Sequence, residues 1–143
     1  MNTNAKGNIA LGWAIAYFTN NLYTVSLPLN DSQCYDLIVE KNGVLQTVQV
    51  KYSGELARNG NDYKCTLKTT SGTSRDKLYS IVDTPVDLLF CYCSNGEVYV
   101  IPVKEIPNAN SVTLSKNPLK NAFDTSKYYI QDWSFERKLN QSS

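Results

Sequence analysis

Between Tyr35 and Tyr52 the chain reads YDLIVEKNGVLQTVQVKY, two runs of alternating apolar character that meet at Asn42-Gly43. Alternation of this kind marks strands with one buried face. Asn-Gly between two such runs marks a two-residue type I′ turn, since both central residues must take positive φ. With that turn Lys41 pairs with Val44 and the remaining register follows. Asp36 falls opposite Gln49. Leu37, Val39, Val48 and Val50 make the core side, while Gln49 and Lys51 project together from the other face. A slip of one residue would carry the apolar set into water, so the pattern itself holds the register. The hairpin therefore gathers a carboxylate, an amide and an amine at its open end.

The rest of the sequence predicts one α+β (mixed α/β) domain over residues 1–143. A chain of 143 residues, 42% of them hydrophobic, buries one core and is short for two. Lys6–Asn20 reads as a helix with apolar residues (Ile9, Leu11, Trp13, Ile15, Phe18) on nearly every face, hence covered on most sides, and Asn20-Asn21 ends it. Leu22–Leu29 reads as a short strand closed by Pro28 and the turn Asn30-Asp31-Ser32. Asp62–Thr69 sets Tyr63, Cys65 and Leu67 against Lys64, Thr66 and Lys68, a third strand with a cationic face. The turn formers of Thr69–Lys77 predict a mobile loop. Val86–Val103, around Asn95-Gly96, predicts a second hairpin of central, doubly covered strands. One sheet is expected to hold all of these. The segment 115–143 mixes aromatic and basic residues and reads as a docking or interface segment with a frayed end.

The longest apolar run, Ile9 to Phe18, is far short of the roughly 20 residues of a membrane span, and no signal peptide precedes it. A cytoplasmic chain without membrane contact is expected. In that setting Cys34, Cys65, Cys91 and Cys93 are expected as free thiols. The single residue between Cys91 and Cys93 does not suit a zinc pair.

The chain contains no histidine. That excludes Ser-His-Asp and Cys-His hydrolysis and histidine-based metal nucleases, leaving carboxylate, lysine, tyrosine or an oxygen-bound metal. A carboxylate opposite an amide oxygen suits Mg²⁺ (or Mn²⁺), which takes a few hard oxygen ligands and keeps several waters. Lys51 would orient or help deprotonate one of those waters and stabilise charge on a phosphate. A plainer reading of the same residues is a salt bridge between Lys51 and Asp36 near a sheet edge, with Gln49 solvated. Glu40, near the turn, reads as solvent-exposed.

Net charge is only +1, yet residues 41–77 and 116–143 are net positive and the other segments net negative. Phosphate contacts are sought in the positive segments. Lys64, Thr66 and Lys68 on the third strand, the loop Arg58-Asn59-Gly60-Asn61, and the stretch Thr73-Ser74-Arg75 with Lys77 are where such contacts are expected. Each also reads as a solvated surface.

Tyr35-Asp36, twelve further residues, then Gln49-Val50-Lys51 resemble the signature of the PD-(D/E)XK nucleases. The wider pattern KGNIALGWAIAYF…VSLPLNDSQCYDLIVEKNGVLQTVQVK…LLFCYCSNGEVYVIPVKEI is similar to a small bacterial subgroup over about residues 6–106. That subgroup includes a homing endonuclease encoded in a group I intron. The resemblance implies a restriction-endonuclease-like core, a central mixed β-sheet flanked by helices, and sequence-specific, Mg²⁺-dependent cutting of both DNA strands. It implies Asp36 as a metal ligand, Gln49 at the second acid position, the Val50 backbone carbonyl as a further ligand and Lys51 as the catalytic lysine.

Tyr35 stands where a proline is usual. Leu11 stands where the subgroup commonly has a glutamate, and a hydrocarbon there neither ligates metal nor holds a water, so impaired activity is expected. Cutting two strands of a long pseudo-palindromic site implies a homo-oligomer, a dimer at least, and a tetramer if the aromatic tail or the apolar helix joins dimers. The same family offers a Holliday-junction-resolving nuclease as an alternative. A DNA-binding module that has lost catalysis is another. A protein-interaction domain without nucleic acid is a third, favoured by the near-neutral charge and the aromatic tail.

Overall fold

A computed structural model describes residues 1–30, 33–71, 74–120 and 122–131, with the backbone alone for 69–71 and 74–79. Asp31, Ser32, Thr73 and the tail beyond 131 lie outside the described residues.

Helix α1 spans Thr3–Asn20 and begins earlier than Lys6, because the side chain of Asn2 caps it by accepting from the Ala5 N–H at 2.8 Å. It ends at Asn21, where Leu22 turns the chain with a φ of 68°. Its buried residues are Ala10, Ala14 and Phe18, spaced four apart, and Trp13 is 38% exposed. The expectation of cover on most sides is therefore corrected. Small alanines let one stripe of the helix approach the sheet, and the remaining apolar side chains stay partly open.

The principal sheet has the order β1-β2-β3-β8-β9, formed by β1 (Thr24–Ser26), β2 (Leu37–Lys41), β3 (Val44–Ser53), β8 (Leu88–Cys93) and β9 (Val98–Pro102). The β2–β3 hairpin has the register read from sequence, Leu37 with Val48 through Lys41 with Val44, around Asn42 and Gly43 at φ 54° and 83°. Glu40 is partly covered rather than simply solvated, and its Oε1 accepts from the Gly43 N–H at 2.8 Å. β3 runs parallel to β8, and β8 returns as β9 through the turn at Gly96, φ 93°. β9 is an edge strand rather than a central one, yet Val98, Tyr99 and Ile101 are all buried. Tyr129 bridges to Tyr99 and the Ile130 N–H donates to the Val98 carbonyl at 2.9 Å, so the described part of the C-terminal segment lies along this edge.

A single sheet was the wrong expectation. β4 (Glu55–Leu56), β5 (Tyr63–Thr66) and β10 (Ser111–Leu114) form a second sheet of order β10-β5-β4. The chain leaves it at Leu67, whose N–H and carbonyl bond to Asn110 and Ile81, and continues as β6 (Lys68–Ser71), paired with β7 (Ser74–Ser80). The predicted mobile loop is thus a two-stranded ribbon, because threonines and Tyr79 favour extended backbone and the turn formers concentrate at its tip. The principal sheet consequently has two covered faces. Leu37, Val39, Val48, Phe90 and Val98 pack with Ala14 and Phe18 of α1. Leu89, Cys91, Cys93, Tyr99 and Ile101 pack with Cys65, Leu67, Val112 and Leu114 beneath the second sheet. Helical cover is one-sided among the described residues, and no described helix is long and apolar enough to cross a membrane.

Candidate active site

Asp36 precedes β2, where its N–H still donates to the Val48 carbonyl at 2.8 Å and so fixes its backbone opposite Gln49. Its Oδ2 accepts from the Gln49 Nε2 at 3.0 Å and from the Val50 N–H at 2.7 Å. Gln49 is only 9% exposed. Its amide is thereby oriented with nitrogen toward the carboxylate. Neither Asp36 Oδ1 nor Gln49 Oε1 takes a hydrogen bond among the described residues. The hairpin register thus brings together two of the three polar groups.

Lys51 is placed differently. It lies on the Gln49 face, beside Cys91 in the parallel ladder, but its Nζ donates to the Lys68 carbonyl at 3.0 Å at the start of β6. No ion pair joins it to Asp36. The salt bridge with a solvated Gln49 is therefore not what these residues make; Lys51 shares their face, with its ammonium tied to β6 rather than to the carboxylate. Lys51 still acts through its charge. Burial raises the Asp36 carboxyl above the ordinary range, against the lowering effects first of the Val50 N–H and then of the Lys51 ammonium.

A cleft of about 470 Å³ opens between the sheet and the first turns of α1. The sheet contributes Asp36, Gln49 and Val50, and the helix contributes Thr3, Asn4, Gly7, Asn8 and Leu11. A second cleft of about 320 Å³, under the loop after β1, shares Leu11 and Asp36 with the first. Leu11 is therefore beside Asp36, as the resemblance implied, and brings hydrocarbon there. Asn4 and Asn8 lie on its stripe of the helix and were missed in the sequence. Their spacing to Leu11 was visible there, but the packing angle that brings them to the same cleft as Asp36 was not.

The donor set fits a hard divalent cation in kind: one carboxylate oxygen and one amide oxygen without partners among the described residues, at a cleft with room for several waters at about 30 Å³ each. Among the described residues no three histidine, cysteine, aspartate or glutamate side chains converge on a metal, so the fit depends on amide oxygens. Cys91 and Cys93 offer no competing nucleophile. Burial holds Cys91 well above its ordinary value and pushes Cys93 to about 12.

The expected DNA-contacting residues are dispersed. Lys64 and Thr66 sit on β5, with Lys64 3.8 Å from Glu55, and Lys68 opens β6. Arg58 is exposed in the turn after β4. Asn59 closes that turn, accepting from the N–H groups of Asn61 and Asp62 and donating to the Asp62 carboxylate. Arg75 and Lys77 lie on β7, and Thr73 is outside the described residues.

No curated protein matches the chain. Among solved structures it is similar to a bacterial homing endonuclease, I-Ssp6803I, with a TM-score of 0.70 and 26% identity over 90% of this chain and 89% of that one. The α+β architecture around a mixed five-stranded sheet agrees with the restriction-endonuclease-like fold. The family model of the PD-(D/E)XK endonucleases matches residues 1–136, nearly the whole length, and the chain belongs to that family.

Proposed function

We propose that this protein is a sequence-specific, Mg²⁺-dependent (or Mn²⁺-dependent) double-strand DNA endonuclease of the intron-homing type. It acts in the cytoplasm as a homo-oligomer, a dimer at least, on a long pseudo-palindromic target. The reading rests above all on the Asp36–Gln49 pair, whose remaining oxygens have no hydrogen-bond partner among the described residues, at an open cleft in a fold of nuclease family. A bound divalent cation would be held by Asp36, Gln49 and the Val50 carbonyl, and would activate water and offset charge on the phosphate. The Val50 N–H and the Gln49 amide hold the carboxylate in one orientation. Lys51 keeps positive charge beside it. The basic residues of β5, β6 and β7, with Arg58, hold DNA phosphates.

Leu11 favours a second reading, a DNA-binding module with impaired catalysis, because it leaves one carboxylate at the cleft. Incubating the chain with a plasmid library in Mg²⁺ at low salt separates the two. Cutting at a defined site, abolished by Lys51→Ala and increased by Leu11→Glu, supports the nuclease. Salt-sensitive binding with no cutting in Mg²⁺ or Mn²⁺, even by Leu11→Glu, supports the module.

A further inference from the structure

Resting on the nuclease reading, we infer that Asn8 supplies, from the helix wall, an oxygen that accepts from the water shell of a cation held at Asp36. Leu11 and Asp36 are the two residues that line both clefts. Asn8 is three residues before Leu11 on the same stripe, about 4.5 Å along the axis, whereas Asn4 is about 10.5 Å away. Both line the cleft. Three features single out Asn8.

First, the sheet side of the site is poor in charge. Asp36 Oδ2 is taken by the Val50 N–H and the Gln49 amide, leaving one carboxylate oxygen and one amide oxygen for a cation that prefers six oxygens. Waters must fill the remainder, and a second carboxamide on the opposite wall is an acceptor for their protons. Second, the wall is open beside Asn8. Gly7 also lines the cleft, and a Cβ there would meet nothing within 4 Å, so the helix surrenders a side chain just where a hydrated ion needs space. Third, the positive end of the α1 dipole works against a cation near Thr3 and Asn4, and this effect fades beyond the first turn, so Asn8 is the less disfavoured of the two.

The test is a titration of the full chain with Mn²⁺ and no DNA, following free Mn²⁺ by electron paramagnetic resonance. Asp36→Asn serves as the reference for a lost site. Asn8→Ala is expected to weaken Mn²⁺ binding about tenfold, Asn8→Asp to tighten it, and Asn4→Ala to leave it unchanged. Asn8 is exposed and alanine is the better helix former, so thermal melts of Asn8→Ala should match or exceed the parent. Unchanged Mn²⁺ affinity in Asn8→Ala overturns the inference while leaving Asp36-dependent binding, and the nuclease reading, intact. Equal weakening by Asn4→Ala overturns it too, as does an Asn8→Ala defect confined to DNA affinity, which would mark a phosphate contact. Absence of any Asp36-dependent Mn²⁺ binding removes the nuclease reading and this inference together.

Discussion

Asp36 carries opposing demands. Its folded-state carboxyl is raised by burial, so the unfolded chain gives up the proton first, near pH 3.9 for an ordinary aspartate. Between that value and the higher folded one the native state holds more protons, and stability falls as pH rises through the window, then stays level above it. Asp36→Asn keeps the shape and removes the charge. At neutral pH it is expected to raise Tm by about 1–3 °C while lowering Mg²⁺-dependent cleavage by at least about 100-fold. The stability gap should close below pH 3.9, and melts across the acid range test this. Lys51 is expected to behave oppositely in kind. Lys51→Ala loses one hydrogen bond to the Lys68 carbonyl and a charge beside Asp36, so cleavage should drop about 100-fold or more with DNA affinity within a few-fold. Parallel cleavage and binding assays decide it, and an equal loss in both would make Lys51 a phosphate anchor.

At the scale of elements, the β2–β3 turn concentrates its strain in the backbone. Gly43 has φ 83° and open space where a Cβ would stand, so Gly43→Val should cost about 1–2 kcal/mol through conformation alone, read as a lower urea midpoint with unchanged slope. This hairpin was legible in the sequence because its pairing is local and Asn-Gly admits one turn. The Asp36–Gln49 contact followed from that register. The tie from Lys51 to Lys68 did not, since it depends on where β6 begins. The parallel β3–β8 pairing joins distant segments that no local pattern connects, and so the second sheet and its cover over the Gln49 face were missed. The one-sided burial of α1 was hidden because Leu11, Trp13 and Ile15 look like fully buried residues by composition, while the positions fully buried are Ala10, Ala14 and Phe18. The β6–β7 ribbon was hidden because the same short stretch carries threonines and turn formers. Its basic residues give a test of the DNA reading. Replacing Arg75 and Lys77 together by alanine should weaken binding uniformly across sequences and reduce the salt slope of the logarithm of the affinity by about 2. A slope that does not move would remove β7 from the interface.

For the whole molecule, β8 is the strand on which both cores depend, because its successive side chains enter opposite layers. Phe90 and Leu89 are each fully buried, one against α1 and the other beneath the second sheet. Truncating either should be costly, about 3–5 kcal/mol for Phe90→Ala and about 2–5 kcal/mol for Leu89→Ala. They bear on the site through different walls. The Phe90 ring lies 5.8 Å from Tyr17 and 6.2 Å from Phe18, so its loss slackens the seat of α1, the element that forms one wall of the Asp36 cleft. Leu89 supports the layer that holds β5 and β10, but it stands beside Gln49 in the parallel ladder and so bears on the sheet wall of the same cleft. Under conditions where the variants remain folded, Phe90→Ala should weaken Mn²⁺ binding several-fold, whereas Leu114→Ala, which opens the core beneath β10, should leave it near the parent value. Equal weakening would mean that overall stability, not the position of α1, governs the site. Loss in Phe90→Ala alone would show that packing beneath the helix sets the distance between its polar stripe and the carboxylate.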